Sequence, residues 1–254
     1  MYSRTSCDVG PKPAFLYVIP TFQNPTGRTL GADGRRRLVE LAADQELTVL
    51  EDDAYGLVRF EGDAQPTLHQ LAGAEYVVYS SSFSKTVAPG LRVGYLVLPE
   101  ALAAQVEALA TSTYISPALL SQATVYEFVR RGSLARNLEL VRSLLRARRD
   151  ALLQALERHF GDSGARWSRP EGGYFLWLDL PEGVDSVALL EAAAGVGVSF
   201  VPGPDFFPRG RGGRSAARLA FSLASAAQLG DAVARLASAQ PAASPIQLRE
   251  HHAA

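Results

Sequence analysis

Of the 25 lysines and arginines in this 254-residue sequence, two are lysines, Lys12 and Lys85. Arginine keeps its proton and cannot act as an amine nucleophile. A lysine retained in "SSSFSKTVAPGLRVGY" (80–95) therefore points to chemistry that needs a neutral amine, such as Schiff-base formation with an aldehyde. Three further motifs carry matching groups: "PTFQNPTG" with Asn24, "EDDAYG" with Asp52, Asp53 and Tyr55, and "PGLRVG" with Arg92. Singly, each has a plain reading. "NPTG" is a turn by its Asn, Pro and Gly content, "EDDAY" a helix start or a hard-cation site, Lys85 a solvated loop residue and Arg92 a surface ion-pair partner. Together they form a narrower set: an amine, a carboxylate able to face a cationic ring nitrogen, and hydroxyl, amide and guanidinium donors able to hold a phosphate and a phenolate.

These motifs must be held by strand ends. "AFLYVI" (14–19), "LTVLED" (47–52), "YVVYSS" (76–81) and "VGYLVLP" (93–99) are short, branched or aromatic runs bounded by polar or turn residues, the pattern of buried strands. Between the first two, "ADGRRRLVELAADQE" predicts a helix capped by Asp33, with an apolar stripe at Leu38, Leu41 and Ala42. A strand-helix-strand unit implies a mostly parallel α/β sheet, and such sheets bind ligands at the carboxyl ends of their strands. From Pro117 the pattern is helical: "PALLSQATVYEFVRR" runs to Gly132, and 133–160 reads as one long helix. Beyond Gly161 come a strand over 172–180, a helix around 187–194, a strand "VSFVPG", a Gly/Arg-rich loop, a strand "ARLAFSL" and a helix to about Ala239, a small α+β domain. The predicted organisation is therefore 1–132, 133–240 and a loose Pro/Ala-rich tail, 241–254.

A net charge of -1 and 20% charged residues offer no bulk attraction for nucleic acid or anionic membrane, so a small-molecule site is expected. Cys7 alone cannot build a disulfide framework or a multi-cysteine zinc site, and a cytoplasmic setting is expected. The most apolar segment, 187–201, is broken by Glu191 and two glycines, and the N-terminal residues lack the apolar core of a signal peptide. The arginines from Arg130 to Arg149 read as a solvated helix face, the "RGRGGR" loop (209–214) as a surface loop, His251 and His252 as lacking a metal-binding cluster, and Trp167, Trp177, Phe206 and Phe207 as core or junction fillers.

In order, "PTFQNPTG", "EDDAYG", "SSFSKTVAPGLRVGY", "RPEGGYFLWLDLP", "VPGPDFF" and "ARLAFS" resemble the class I/II aminotransferases of pyridoxal phosphate fold type I. The branch resembled includes 2-aminoadipate aminotransferases and the aminotransferase-like domains of MocR-type regulators. The resemblance spans about Pro13 to Ala239. It implies a partial large domain with a mostly parallel sheet plus a small α+β domain, pyridoxal 5′-phosphate as cofactor, an α-amino acid and a 2-oxo acid as substrates, and a homodimer. It also implies roles: Lys85 as the Schiff-base lysine, Asp52 against the pyridine nitrogen, and Asn24 and Tyr55 on the phenolic oxygen. Ser82 and Arg92 would hold phosphate, and Arg218, together with Asn24, would meet the substrate. Asp53 is left as a turn residue.

The family's large domain begins before this sequence does, so the glycine-rich phosphate loop, a ring-stacking aromatic and part of the substrate pocket are expected upstream, and the sheet is expected to present an unpaired edge. Two rival readings keep the scaffold: a lyase, decarboxylase or synthase using the same cofactor, and the effector-sensing half of a MocR-type regulator.

Overall fold

The four apolar runs of the first half do form strands. The computed structural model describes residues 13–73 and 75–239, within which β1 (Leu16–Val18), β2 (Val49–Asp52), β3 (Val77–Ser82) and β4 (Gly94–Val97) make one sheet in the order β1-β2-β3-β4. The first three are parallel and β4 is antiparallel to β3. Register places Val49 opposite both Leu16 and Val77, and Asp52 opposite Ser80. Because side chains alternate along a strand, Leu16, Val18, Val49 and Val77 share one face. That face packs on α1 (Ala32–Asp44) and α2 (Leu68–Ala72) through Leu38, Val39, Ala42 and Leu68.

Two details of α1 differ from the sequence reading. The helix starts one residue after Gly31, which adopts the extended cap conformation, so Asp33 lies inside the first turn and pairs with Arg36 rather than capping. Leu41 is 53% exposed, because the buried stripe runs through Arg35, Leu38 and Ala42 at helical spacing. A polar residue in that stripe is unusual and it has a purpose. Arg35, 0% exposed, donates from Nε to Leu30 O, from Nη1 to Pro66 O, and from Nη2 to Pro20 O and Thr21 Oγ1. Its neighbour Glu51, also 0% exposed, accepts from the amides of Leu68 and His69, the first two residues of α2. The carboxylate satisfies helix N-terminal amides that would otherwise be orphaned.

Contacts among the described residues divide into two compact units. One reaches to Leu144 and includes Pro170–Gly173; the other holds Leu145–Arg169 and the chain from Tyr174 onward. Also in the first are α3 (Glu100–Tyr114), which buries none of its residues, and α4 (Leu119–Arg130). The long helix predicted over 133–160 is α5 (Ser133–Phe160), which crosses the division. The arginines from Arg130 to Arg149 are not all solvated. Arg130 and Arg131 are exposed and pair with Glu127, but Arg142 donates to Leu57 O and Arg149 is 5% exposed beside Asp150.

In the second unit β5 (Arg166–Trp167), β6 (Phe175–Asp179), β7 (Val201–Pro202) and β8 (Ala216–Ala220) form an antiparallel sheet ordered β5-β6-β8-β7. With it go α6 (Ser186–Gly195), started by Asp185, and α7 (Ala226–Ser238), started by a Ser225–Gln228 capping box. Leu152, Leu156, Phe160, Leu176, Leu178, Leu189 and Phe221 are the buried core. The expected aromatic fillers are not part of it: Trp177 meets Phe206 edge to face on the less buried side of β6, and Phe207 is 41% exposed. Arg214, closing the Gly/Arg-rich loop, pairs with Asp185. No helix among the described residues is long and apolar enough to cross a membrane. The tail from 241, with His251 and His252, and the segment holding Cys7 and Lys12 lie outside the described residues.

Candidate active site

Parallel strands bring their carboxyl ends to one edge, and here each end carries a predicted group: Asn24 after β1, Asp52 at the end of β2, and Ser82 at the end of β3 with Lys85 just beyond. Alternation then sorts the side chains. Glu51, opposite Tyr79, faces the packed side, while Asp52, opposite Ser80, faces the other, as do Tyr17, Leu50 and Ser82.

The loop that presents Asn24 is rigidly made. Gln23 N donates to Arg28 O at 2.9 Å, Leu30 N to Pro20 O at 2.7 Å, and Thr26 Oγ1 to Gln23 Oε1 at 2.6 Å. Phe22 is 1% exposed, with the Arg59 guanidinium 4.6 Å from its ring centre, and Gly172 lies so close that a Cβ there would sit 2.2 Å from the ring. The glycines of "PEGGYF" are thus required by the approach of this ring.

At the end of β2 the two aspartates have different partners. Asp52 Oδ2 accepts a 2.6 Å hydrogen bond from the Tyr17 hydroxyl. Asp53 accepts from the Gly56 amide with one oxygen and from the Tyr79 hydroxyl with the other, so its carboxylate is engaged in the turn. Both phenols are pushed up from their ordinary value. Burial contributes most in each case and the bonded carboxylate adds to it, Asp52 for Tyr17, which is pushed up to about 12, and Asp53 for Tyr79. Tyr55 is 7% exposed and leads into a single 3-10 turn, Gly56–Val58.

Beyond β3 the chain makes a tight hairpin. Ser82 caps the 3-10 turn Phe83–Lys85 by accepting from Ser84 N, and its hydroxyl donates to Val93 O. Phe83 N donates to Val93 O and the Asn137 side chain to Thr86 O, so half-buried Lys85 sits on a stiff support. Arg92, in the left-handed region at φ 54°, donates from Nη1 to Ser84 Oγ and Pro89 O. Ser80, Ser82, Ser84 and Arg92 line one cavity of about 490 Å³, together with Tyr114. The serine hydroxyls and the guanidinium suit an anion, while Val93, Leu96, Leu98 and Val106 make the rest of the lining apolar; Asn24, Asp52, Tyr55 and Lys85 are not among the lining residues.

Arg218 lies in the second unit, on β8 opposite Trp177. Its guanidinium carbon is 4.2 Å from the Phe175 ring centre and 5.1 Å from that of Phe206. Two aromatic faces hold the planar fork in place.

Three residues that matter here were not singled out from the sequence: Tyr17, Ser84 and Arg35. Tyr17 stands in register with Leu50, two positions before Asp52 on the same face, and strand periodicity contains that signal. Ser84 is one residue from Lys85. Nothing in "GRRRL" marks Arg35 as the arginine that turns inward.

Residues 10–236 match the family Aminotransferase class I and II, and the chain belongs to that family. It is 39% identical over 232 residues to a 2-aminoadipate transaminase of Thermus thermophilus, covering 90% of this chain and 57% of the relative. It also matches the solved structure of the α-aminoadipate aminotransferase LysN from Thermus thermophilus, complexed with N-(5′-phosphopyridoxyl)-L-leucine. That match has a TM-score of 0.83 and 38% identity, and covers 90% of this chain and 59% of the other. A shorter match, 36% identity over 163 residues, covers 64% of this chain and 34% of an uncharacterized HTH-type transcriptional regulator of Bacillus subtilis. The chain thus spans little more than half the length of the enzymes it matches. The fold is that of fold-type-I pyridoxal phosphate enzymes, with a mostly parallel first sheet and an antiparallel second one.

Proposed function

We propose that the protein is a pyridoxal-phosphate-dependent aminotransferase that exchanges an amino group between an α-amino acid and a 2-oxo acid, acting as a cytoplasmic homodimer. The observation that supports this reading is that three parallel strands end on one sheet edge: β2 in Asp52, held by Tyr17, and β3 in Ser82, which with Ser84 and Arg92 lines one cavity, Lys85 following Ser84 in the chain. The donor set fits the cofactor. Hydroxyls and a guanidinium suit a phosphate, a fixed carboxylate suits a ring N–H, and a lysine suits an aldehyde. Bound there, pyridoxal phosphate supplies an aldehyde that joins amines and a ring that takes up negative charge from the substrate's Cα.

The chain's own residues do the rest. Ser82 and Arg92 bind the phosphate, and Asn24 and Tyr55 donate to the phenolic oxygen. Asp52 holds the ring nitrogen's proton by its negative charge, an interaction of about 1.5–3 kcal/mol for a charge-assisted hydrogen bond. Lys85 Nζ would take the proton from the substrate's Cα as general base and, as acid, deliver it to the carbon that carried the aldehyde. Arg218, its guanidinium flanked by Phe175 and Phe206, would bind the substrate carboxylate with both donors, and Asn24 would also meet the substrate.

Adding pyridoxal phosphate to the purified chain and to Lys85→Ala should give a visible band that survives gel filtration in the parent and is absent from the variant. Equal spectra would remove Lys85 from the mechanism. The regulator match favours a second reading, in which the same site senses a ligand. Amino donors screened with mass detection of the 2-oxo acid separate the two, since a sensor retains the band and forms no product.

A further inference from the structure

Asp52 is the carboxylate on which the proposed chemistry turns, and what holds it in place is a residue of β1. Tyr17 is the middle residue of that strand; Leu16 and Val18 on either side pack into the core, and the Tyr17 ring lies on the opposite face, 51% exposed. Register sets it beside Leu50, so its ring must reach diagonally along β2, a span that aromatic side chains cover. At 2.6 Å its O–H···O contact with Asp52 Oδ2 has the length of a charge-assisted bond. Among the described residues no other group donates to the Asp52 side chain, which leaves Oδ1 to the site. The next residue shows the contrast: both oxygens of Asp53 are taken, one by Gly56 N and one by Tyr79.

We propose that Tyr17 is a positioning residue. Its phenol pins one carboxylate oxygen of Asp52, fixes the rotation of the group and draws charge onto Oδ2, so that Oδ1 meets a ring N–H in a single orientation and the shared proton stays on the ring nitrogen. A carboxylate without this donor turns freely about its last torsion, which is broad and nearly two-fold. The inference rests on the cofactor reading above and assigns a role to a residue outside the cofactor's own contacts.

The test uses the full chain loaded with pyridoxal phosphate labelled with ¹⁵N in the ring. Tyr17→Phe removes one hydroxyl at a half-exposed position, so the fold and the Lys85-dependent visible band should persist, with an unchanged circular dichroism spectrum. The ¹⁵N resonance should move from the parent's position toward that of a neutral pyridine, falling between the parent and Asp52→Asn. The cofactor dissociation constant should rise roughly tenfold, as for the loss of one charge-assisted hydrogen bond. Replacing Tyr17 by 3-fluorotyrosine keeps the shape and strengthens the donor, and should move the resonance the other way. A Lys85-dependent band in the parent with identical ¹⁵N resonances in parent, Phe and fluorotyrosine forms would overturn the role of Tyr17 alone. A parent with no such band would overturn the cofactor reading and this role together.

Discussion

Glu51 and Asp52 are neighbours on one strand and live in opposite worlds. Glu51 points into the packed face of the first sheet, with no exposed surface, two amides on its oxygens and the Arg35 guanidinium 4.0 Å away. Asp52 points to the other face, where the Tyr17 phenol holds it and where Ser80, opposite it in register, lines a cavity. On the packed face the carboxylate and the arginine are closed off by partners within the chain, whereas on the open face Asp52 is bonded through one of its oxygens by Tyr17. What separates them is satisfaction. Arg35 has four acceptors within the chain, so it has little left to offer a ligand.

If that division is right, changes on the packed face should damage stability and changes on the open face should not. The largest effect is expected for Arg35→Met, which leaves the Glu51 charge buried without its cation and should cost about 3–5 kcal/mol in urea unfolding. Adding Glu51→Gln, which removes the charge but keeps an acceptor for one amide, should recover part of that loss; a double variant no better than the single would break the comparison. Thr67→Ala comes next. It deletes the capping box that starts α2 on the same face, and should lower stability by about 1 kcal/mol. On the open face, Asp52→Asn should cost less than Thr67→Ala at neutral pH, since asparagine keeps an oxygen that accepts from the Tyr17 hydroxyl.

The same variant has a sharper signature in alkali. A phenol whose ionisation is raised by folding stabilises the protein below its unfolded value near 10, and that contribution is lost as pH rises toward about 12. Ultraviolet titration should therefore find Tyr17 ionising late in the parent and closer to 10 in Asp52→Asn. An unchanged titration would mean that burial alone, and no bond to Asp52, accounts for the rise.

Much of this could be read from residue order. The four strands of the first sheet, the helix over 133–160 and the strand ends that carry Asn24, Asp52, Ser82 and Lys85 follow from short apolar runs bounded by turn residues. The antiparallel placement of β4 does not, because a strand's direction is set by the connection before it, and the hairpin from Phe83 to Val93 is held by backbone bonds that side-chain types do not announce. Apolar patterning was also blind to Arg35. A helix stripe is recognised by its hydrophobes, and an arginine enters one only when distant carbonyls, here Pro20, Leu30 and Pro66, converge on it. Between Asp52 and Asp53 the spacing in "DDAY" favours Asp52 for a ligand, and the engaged oxygens of Asp53 are a physical reason of the same sign.

One guanidinium ties together the loop after β1, the residue ahead of α1 and the approach to α2. Those three pieces of chain cannot loosen one at a time, since the departure of any one strands a buried donor. In hydrogen exchange the protected amides of Leu30 and Leu68 should open with a common free energy, as a single cooperative block that includes the base of the Asn24 loop.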